Sequence, residues 1–227
     1  MPAAEVSPSE NPGRRGAPRI DPVTLTILLV CGVIEITLQL ADHGIMDWPR
    51  LRALAYAYGG FWPGLLGDWT ANFPGQAVVM FFTYGFLHGG LLHFVVNMIT
   101  LISLGSAVHE RGGIGRYATI YVASILGGAV VFGLLAPSLR PMVGASGALF
   151  GLVGALTAWD AIERRALRLT MRPVVRIIVV LVILNAVLWW AMDGLLAWQT
   201  HLGGFLAGAV VALLFGEKCE LRDRRGL

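Results

Sequence analysis

Six long runs of apolar residues, separated by shorter polar or charged segments, are the dominant pattern of this sequence. A helix needs about 20 mostly apolar residues to cross the hydrocarbon core of a membrane, and each run has this length or comes close to it. The runs, predicted spans 1 to 6 in chain order, cover residues 23–40, 85–108, 117–135, 146–162, 174–192 and 201–215. The pattern predicts an all-α polytopic membrane protein built as a bundle of six transmembrane helices.

The composition supports a membrane location and divides the chain into three parts. Of the 227 residues, 56% are hydrophobic and only 14% are charged, which is too apolar for an ordinary soluble domain of this length. Residues 1–22 are predicted to be a disordered tail, residues 23–216 the membrane domain, and residues 217–227 a charged, solvated tail. Predicted span 1 is too long and starts too late for a cleaved signal, so we expect a permanent helix.

The distribution of Lys and Arg predicts the topology. If the N-terminus is cytoplasmic, all of the 17 Lys and Arg residues except Arg50, Arg52 and Arg140 fall on the cytoplasmic side. This agrees with the positive-inside rule, so both termini are predicted to be cytoplasmic and spans 2, 4 and 6 to begin at the outer side. Because the basic residues cluster beside the spans rather than along one stripe, no nucleic-acid partner is predicted.

The connection between spans 1 and 2 is long and rich in Trp, Tyr, Phe, Gly and Pro. Residues 41–84 are too interrupted to span a membrane, and we expect this first outer loop to lie in the interface with its aromatic rings at headgroup level. A loop of this length is usually functional, although it can also be a spacer that carries interfacial anchors.

Four polar side chains lie near the outer ends of spans 2, 4 and 6, where a polar group at membrane depth needs a reason. His93 and Asn97 are four residues apart and therefore share one helix face. Ser146, in the sequence Gly-Ala-Ser-Gly, stands at a helix N-terminus whose free N–H groups suit a developing oxyanion. It can also cap that helix or serve as a small packing residue. His201 begins span 6 and is a candidate general base.

Glycines predict a close contact between spans 4 and 6. Gly204 and Gly208 form a G-x-x-x-G step in span 6, and Gly147 begins a smooth face on span 4. If these faces pack together, they bring Ser146 and His201 within reach of each other.

The remaining polar residues of the spans and the cysteines carry weaker signals. Glu35 in span 1 belongs to no motif, and Asn185 in span 5 is a candidate for a hydrogen bond between helices. Cys31 lies inside span 1 whereas Cys219 follows span 6, so no disulfide is expected between them. Neither a metal site nor a cofactor is predicted.

Three motifs in this order resemble the rhomboid intramembrane serine proteases: "FLHGGLLHFVVNM", "GASGALFG" and "HLGGFLAG". The resemblance covers the whole six-span region. It implies Ser146 as nucleophile and His201 as general base of a Ser-His dyad, with His93 and Asn97 joining the Ser146 N–H in the oxyanion hole. Phe150 is a candidate for a ring stacked on His201, or an ordinary core residue. The chain departs from the family at residues 79–83, where many members carry a Trp-Arg pair.

The resemblance also implies a function and a location. We expect an intramembrane serine endopeptidase that hydrolyses peptide bonds in or near transmembrane helices of other membrane proteins, in contact with membrane lipid. The bacterial inner membrane, a site open to the outer side, and a gate formed by span 5 and the loop after it are expected on the same basis. No oligomeric state is predicted.

Two other classes compete with this expectation. A transporter or channel would show inverted repeats and polar groups at the membrane midplane, whereas here no internal repeat is evident and the polar groups lie at the outer ends. An inactive relative that only binds membrane helices would lack Ser146 or His201, and both are present.

Overall fold

The computed structural model describes residues 20–137 and 139–215, and these are helical throughout apart from short connections. Within these residues seven α-helices follow one another: α1 (Pro22–Asp42), α2 (Leu51–Gly59), α3 (Gln76–Thr83), α4 (Leu91–Leu135), α5 (Ser146–Ala166), α6 (Arg172–Ala191) and α7 (Trp198–Phe215). Most of the predicted tails, and Cys219 with them, lie outside the described residues.

Four of the described helices, α1, α4, α6 and α7, are long and apolar enough to cross a membrane. The chain is therefore an integral membrane protein. Helix α5 covers predicted span 4 but is not in that set, and its last two turns carry Asp160, Glu163, Arg164 and Arg165. The all-α fold class is confirmed, whereas the count of six spans stays a prediction.

Local sequence explains where α1 begins. The carboxylate of Asp21 caps the helix by accepting hydrogen bonds from the backbone N–H groups of Val23 and Thr24, both at 3.0 Å, and Pro22 occupies the first turn. The Thr24 hydroxyl lies 2.8 Å from the Tyr117 hydroxyl of α4. The cap thus fixes both the start of α1 and its position against the bundle.

Predicted spans 2 and 3 both lie within α4, which consists of two helical segments that meet at a sharp kink at Gly113. Gly113 has φ 80° and ψ 169°, a conformation that glycine adopts without a steric penalty. The predicted start of span 2 at residue 85 is wrong, because Gly85 belongs to a short 3₁₀ turn (Tyr84–Phe86) and Gly90 has a φ of 107°. The helix can begin only after this glycine, at Leu91.

The segment that corresponds to the predicted first outer loop is folded and packed against the bundle. It contains α2, a 3₁₀ turn (Pro63–Leu66) and α3. Phe61 is fully buried, packs edge-on against Phe132 of α4, and exchanges two backbone hydrogen bonds with Met142 just before α5. The loop therefore supports the segment that leads into α5. Its position in the membrane interface stays a prediction.

Helices α4, α5 and α7 form the centre of the bundle, and glycines set the distance between α5 and α7. A Cβ atom at Gly204 would overlap the carbonyl oxygen of Gly147, and one at Gly208 would overlap that of Gly151. The predicted close packing of spans 4 and 6 is therefore present, and it relies on the missing side chains at these positions.

Candidate active site

Ser146 and His201 face each other at the beginnings of the two closely packed helices. Ser146 is the first residue of α5 and His201 lies in the first turn of α7. The Nε2 atom of His201 lies 2.9 Å from the Ser146 Oγ, within hydrogen-bond distance. His201 is buried and Ser146 is half-buried. This is the geometry that a general base and an activated nucleophile need.

Two further side chains hold the imidazole of His201. The ring of Phe150 lies parallel to it, with 4.1 Å between the ring centroids and an angle of 4° between the planes. On the ring edge away from Ser146, the Oδ1 atom of Asn185 lies 2.6 Å from the Nδ1 atom of His201. A ring stacked on His201 was one of the two alternatives that the sequence left open for Phe150. The sequence did not predict His201 as the partner of Asn185, and the only signal for this contact was a polar residue in an otherwise apolar span.

His93 lies beside the backbone that leads into α5. Its Nδ1 atom is 3.1 Å from the backbone N–H of Gly89, which can only donate, so the ring proton must lie on Nε2. A Cβ atom at Gly144, two residues before Ser146, would lie 3.1 Å from that Nε2 atom. His93 thus presents an N–H donor towards the start of α5.

Asn97 is buried one turn further along α4 and makes no hydrogen bond to Ser146. Its Nδ2 atom donates a 2.8 Å hydrogen bond to the His93 carbonyl oxygen, while its Oδ1 atom has no hydrogen-bond partner among the described residues. The structure therefore brings His93 close to the start of α5 and leaves Asn97 on the adjoining turn.

An ion-pair network anchors the segment that precedes His93. Arg52 of α2 donates hydrogen bonds to both carboxylate oxygens of Glu35, at 2.9 Å and 3.1 Å, and to Asp42 at 2.6 Å. Arg52 and Tyr56 also donate to the carbonyl oxygen of His88, at 3.0 Å and 2.6 Å. The network gives Glu35, which the sequence left without a role, a clear structural partner.

Electrostatics explain why this network tolerates burial. The side chain of Glu35 is only 1% exposed, so an unpaired carboxylate there would be costly. Burial alone would lower the pKa of Arg52, but its hydrogen bonds to Glu35, Tyr56 and Asp42 outweigh that effect and hold the pKa above its ordinary value. Arg52 therefore stays charged and joins α1, α2 and the segment before α4.

Replacing Arg52 with methionine is expected to destabilise the protein by about 3 kcal/mol, because the buried Glu35 carboxylate loses its cationic partner and keeps the hydrogen bond from Gln39. Thermal unfolding of the purified chain in detergent measures this loss as a lower Tm. Arg50→Met is the matched control, since Arg50 is exposed and should leave the Tm unchanged. Equal Tm values for both variants would show that the network does not stabilise the fold.

A mostly apolar cavity of about 600 Å³ lies next to the site, between α5, α6 and α7. Phe150, Asn185 and His201 form part of its wall, together with Trp189 and Trp198. Only Val174 is buried among the residues of α6, so this helix packs loosely on the rest of the bundle. The imidazole of His201 therefore borders this apolar space.

The fold and the site together define a class: an integral membrane protein with a serine and a histidine in hydrogen-bond contact at one end of its helical bundle. A family model, the Rhomboid domain, matches residues 75–218 of the chain. This match covers more than half of the sequence, and the chain belongs to the rhomboid family.

Individual relatives agree with this assignment. RHOMBOID-like protein 5 of Arabidopsis thaliana is 37% identical over 130 residues, covering 54% of this chain and 39% of that protein. Rhomboid protease GluP of Bacillus subtilis (strain 168) is 33% identical over 130 residues, covering 57% of this chain and 24% of that protein. Rhomboid-like protease 1 of Toxoplasma gondii is 25% identical over 205 residues, covering 89% of this chain and 66% of that protein. The matches to the first two thus span less than half of their lengths.

Proposed function

We propose that this chain is an intramembrane serine endopeptidase that cuts peptide bonds in or near transmembrane helices of other membrane proteins. The observation that carries the proposal is the 2.9 Å distance between His201 Nε2 and Ser146 Oγ in a member of the rhomboid family. Two of the relatives described above carry the word protease in their names, which supports the same reaction.

The reaction follows from the positions of the two side chains. His201 Nε2 accepts the Ser146 hydroxyl proton while Oγ forms a bond to the scissile carbonyl carbon. When the tetrahedral intermediate collapses, the C–N bond breaks and His201 gives the proton to the departing amine. A water molecule, deprotonated by His201, then attacks the acyl ester, and the Ser146 hydroxyl is restored with release of the carboxylic acid.

Three groups are available to stabilise the oxyanion. The backbone N–H of Ser146 belongs to the first turn of α5, where N–H groups lack partners within the helix. His93 directs its Nε2 proton towards Gly144, and the Asn97 amide lies on the next turn of the same helix face. We infer that His93 and Asn97 donate to the oxyanion once substrate is bound, with Asn97 giving up its bond to the His93 carbonyl.

The proposal includes the membrane topology of the chain and the kind of substrate that it cuts. We infer six spans within residues 23–216, cytoplasmic termini and a site open to the outer side, supported by the distribution of Lys and Arg. The bacterial inner membrane is inferred from the resemblance to six-span bacterial members of the family. The substrates would be transmembrane proteins within the lipid bilayer. A helical substrate hides its backbone, so segments with glycine or other helix-destabilising residues near the cut are expected to react best.

A serine-directed fluorophosphonate probe tests the proposal without knowledge of the natural substrate. The full chain in liposomes is expected to bind the probe covalently at Ser146, located by peptide mass spectrometry, and to cut a co-reconstituted single-span reporter protein. The rate of reporter cleavage should fall in proportion to the fraction of protein that is labelled. An absence of labelling, or cleavage that continues in fully labelled protein, would overturn the assignment.

A further inference from the structure

Asn185 makes a contact that the dyad mechanism does not explain. Its Oδ1 atom lies 2.6 Å from His201 Nδ1, on the opposite side of the imidazole from Ser146. Asn185 belongs to α6, whereas Ser146 and His201 belong to α5 and α7. The three side chains therefore form one hydrogen-bonded row that crosses three helices.

The hydrogen bonds of Asn185 determine which atoms donate and which accept along this row. The Asn185 Nδ2 atom donates to the carbonyl oxygen of Leu181 at 2.8 Å, so the amide turns its oxygen towards His201. An amide oxygen can only accept, and the proton of the neutral imidazole must therefore lie on Nδ1. Nε2 is then left as an acceptor and faces the hydroxyl proton of Ser146, as the proposed reaction requires.

In the described part of the chain, no carboxylate accepts a hydrogen bond from the His201 ring, whose hydrogen-bond partners are Asn185 and Ser146. When the imidazole takes up the serine proton it becomes a cation. A hydrogen bond from its Nδ1–H to a neutral oxygen then becomes charge-assisted and stronger. The contact should therefore stabilise the transition state more than the resting state.

We propose that Asn185 is a positioning residue for His201. It selects the imidazole tautomer whose Nε2 atom accepts a hydrogen bond from Ser146, and the orientation of His201 therefore depends on the position of α6. This inference rests on the proposed function of the Ser146–His201 pair. Since only Val174 is buried in α6, the Asn185–His201 hydrogen bond is a specific polar link between a loosely packed helix and the rest of the bundle. Movement of α6 away from α7 would break the bond and leave the histidine without its orienting partner.

Three variants of the full chain in liposomes test the proposal. Asn185→Leu keeps a similar volume without the acceptor, and Asn185→Asp keeps an acceptor oxygen but loses the donor to Leu181. Val187→Leu, at an exposed position of the same helix, is the control. Asn185→Leu should lower kcat roughly 10- to 100-fold with KM within about twofold, Asn185→Asp should recover most of that loss, and the control should match wild type.

The imidazole itself supplies a readout that a purely structural role would not change. Nitrogen-15 NMR of histidine-labelled protein, with His201→Ala to identify the signal, should show the Nδ1–H tautomer in wild type and a mixture of tautomers in Asn185→Leu. Equal kcat values for wild type and Asn185→Leu, an Asp variant as slow as the Leu variant, or an unchanged tautomer would each overturn the role of Asn185. Failure of the wild type to react with the fluorophosphonate would instead overturn the proposed function.

Discussion

Replacing either Ser146 or His201 with alanine is expected to reduce kcat/KM for cleavage of a single-span reporter by roughly 10⁴-fold or more. Without the Ser146 hydroxyl no acyl-enzyme can form, and without His201 nothing accepts the proton from Oγ at 2.9 Å. Because the two groups act in one step, the double variant should be no slower than either single variant. Initial rates in liposomes, with the protein content of each preparation matched, measure the effect.

Matched controls separate chemistry from general damage. Ser103 and His43 are exposed members of the same residue types, so Ser103→Ala and His43→Ala should cleave at the wild-type rate. The fluorophosphonate should label both controls and neither of the two dyad variants. Cleavage by Ser146→Ala or His201→Ala at more than about one hundredth of the wild-type rate would contradict the dyad mechanism.

Replacing Gly204 with alanine is expected to destabilise the protein by more than about 3 kcal/mol, because the added methyl group overlaps the backbone of α5 and no side chain can move aside. Gly204 faces Gly147. Gly204 lies one turn after His201, and Gly147 directly follows Ser146. The same overlap should therefore separate the two side chains of the site and lower kcat. Thermal unfolding in detergent and cleavage rates in liposomes measure the two effects.

Gly115→Ala is the control for this prediction. A Cβ atom at Gly115 would meet nothing within 4 Å, and a helical glycine replaced by alanine gains up to about 1 kcal/mol of stability from the lower entropy of the unfolded chain. Its Tm should equal or exceed that of wild type. A Tm of Gly204→Ala within about 2 °C of wild type would show that α5 and α7 can separate at little cost, against the packing described above.

Long-range patterns of the sequence predicted much of the fold. The apolar runs, the G-x-x-x-G step and the common depth of the polar residues predicted that Ser146 and His201 come within reach if spans 4 and 6 pack closely, but they did not predict the contact itself. The interior of the first outer loop could not be predicted. Its helices are short, and Phe61 pairs with the backbone of Met142 while the side chain of Gln76 donates to the carbonyl oxygen of Ala57. Local periodicity does not predict such contacts between distant residues.

Two features near the site show where sequence reasoning lacks information. Asn185 is a single polar residue in an apolar run, and only the rotation of α6 about its axis decides whether it meets His201 or lipid. The connection of Arg52 to Glu35 joins residues 17 positions apart and likewise depends on how α2 folds back on α1. Periodicity states which face of a helix is apolar, but it does not state which partner a lone polar group will find.

For the proposed protease activity, the cavity between α5, α6 and α7 has a consequence for how substrates are selected. Its wall is mostly apolar, and lipid tails are as apolar as the side chains that line it, so exchanging an acyl chain for a substrate helix provides almost no hydrophobic driving force. Residence of a substrate at the site should then depend on its mole fraction in the bilayer more than on affinity. Substrates should therefore be distinguished at a later step, in which the substrate helix unwinds far enough for a carbonyl carbon to reach Ser146.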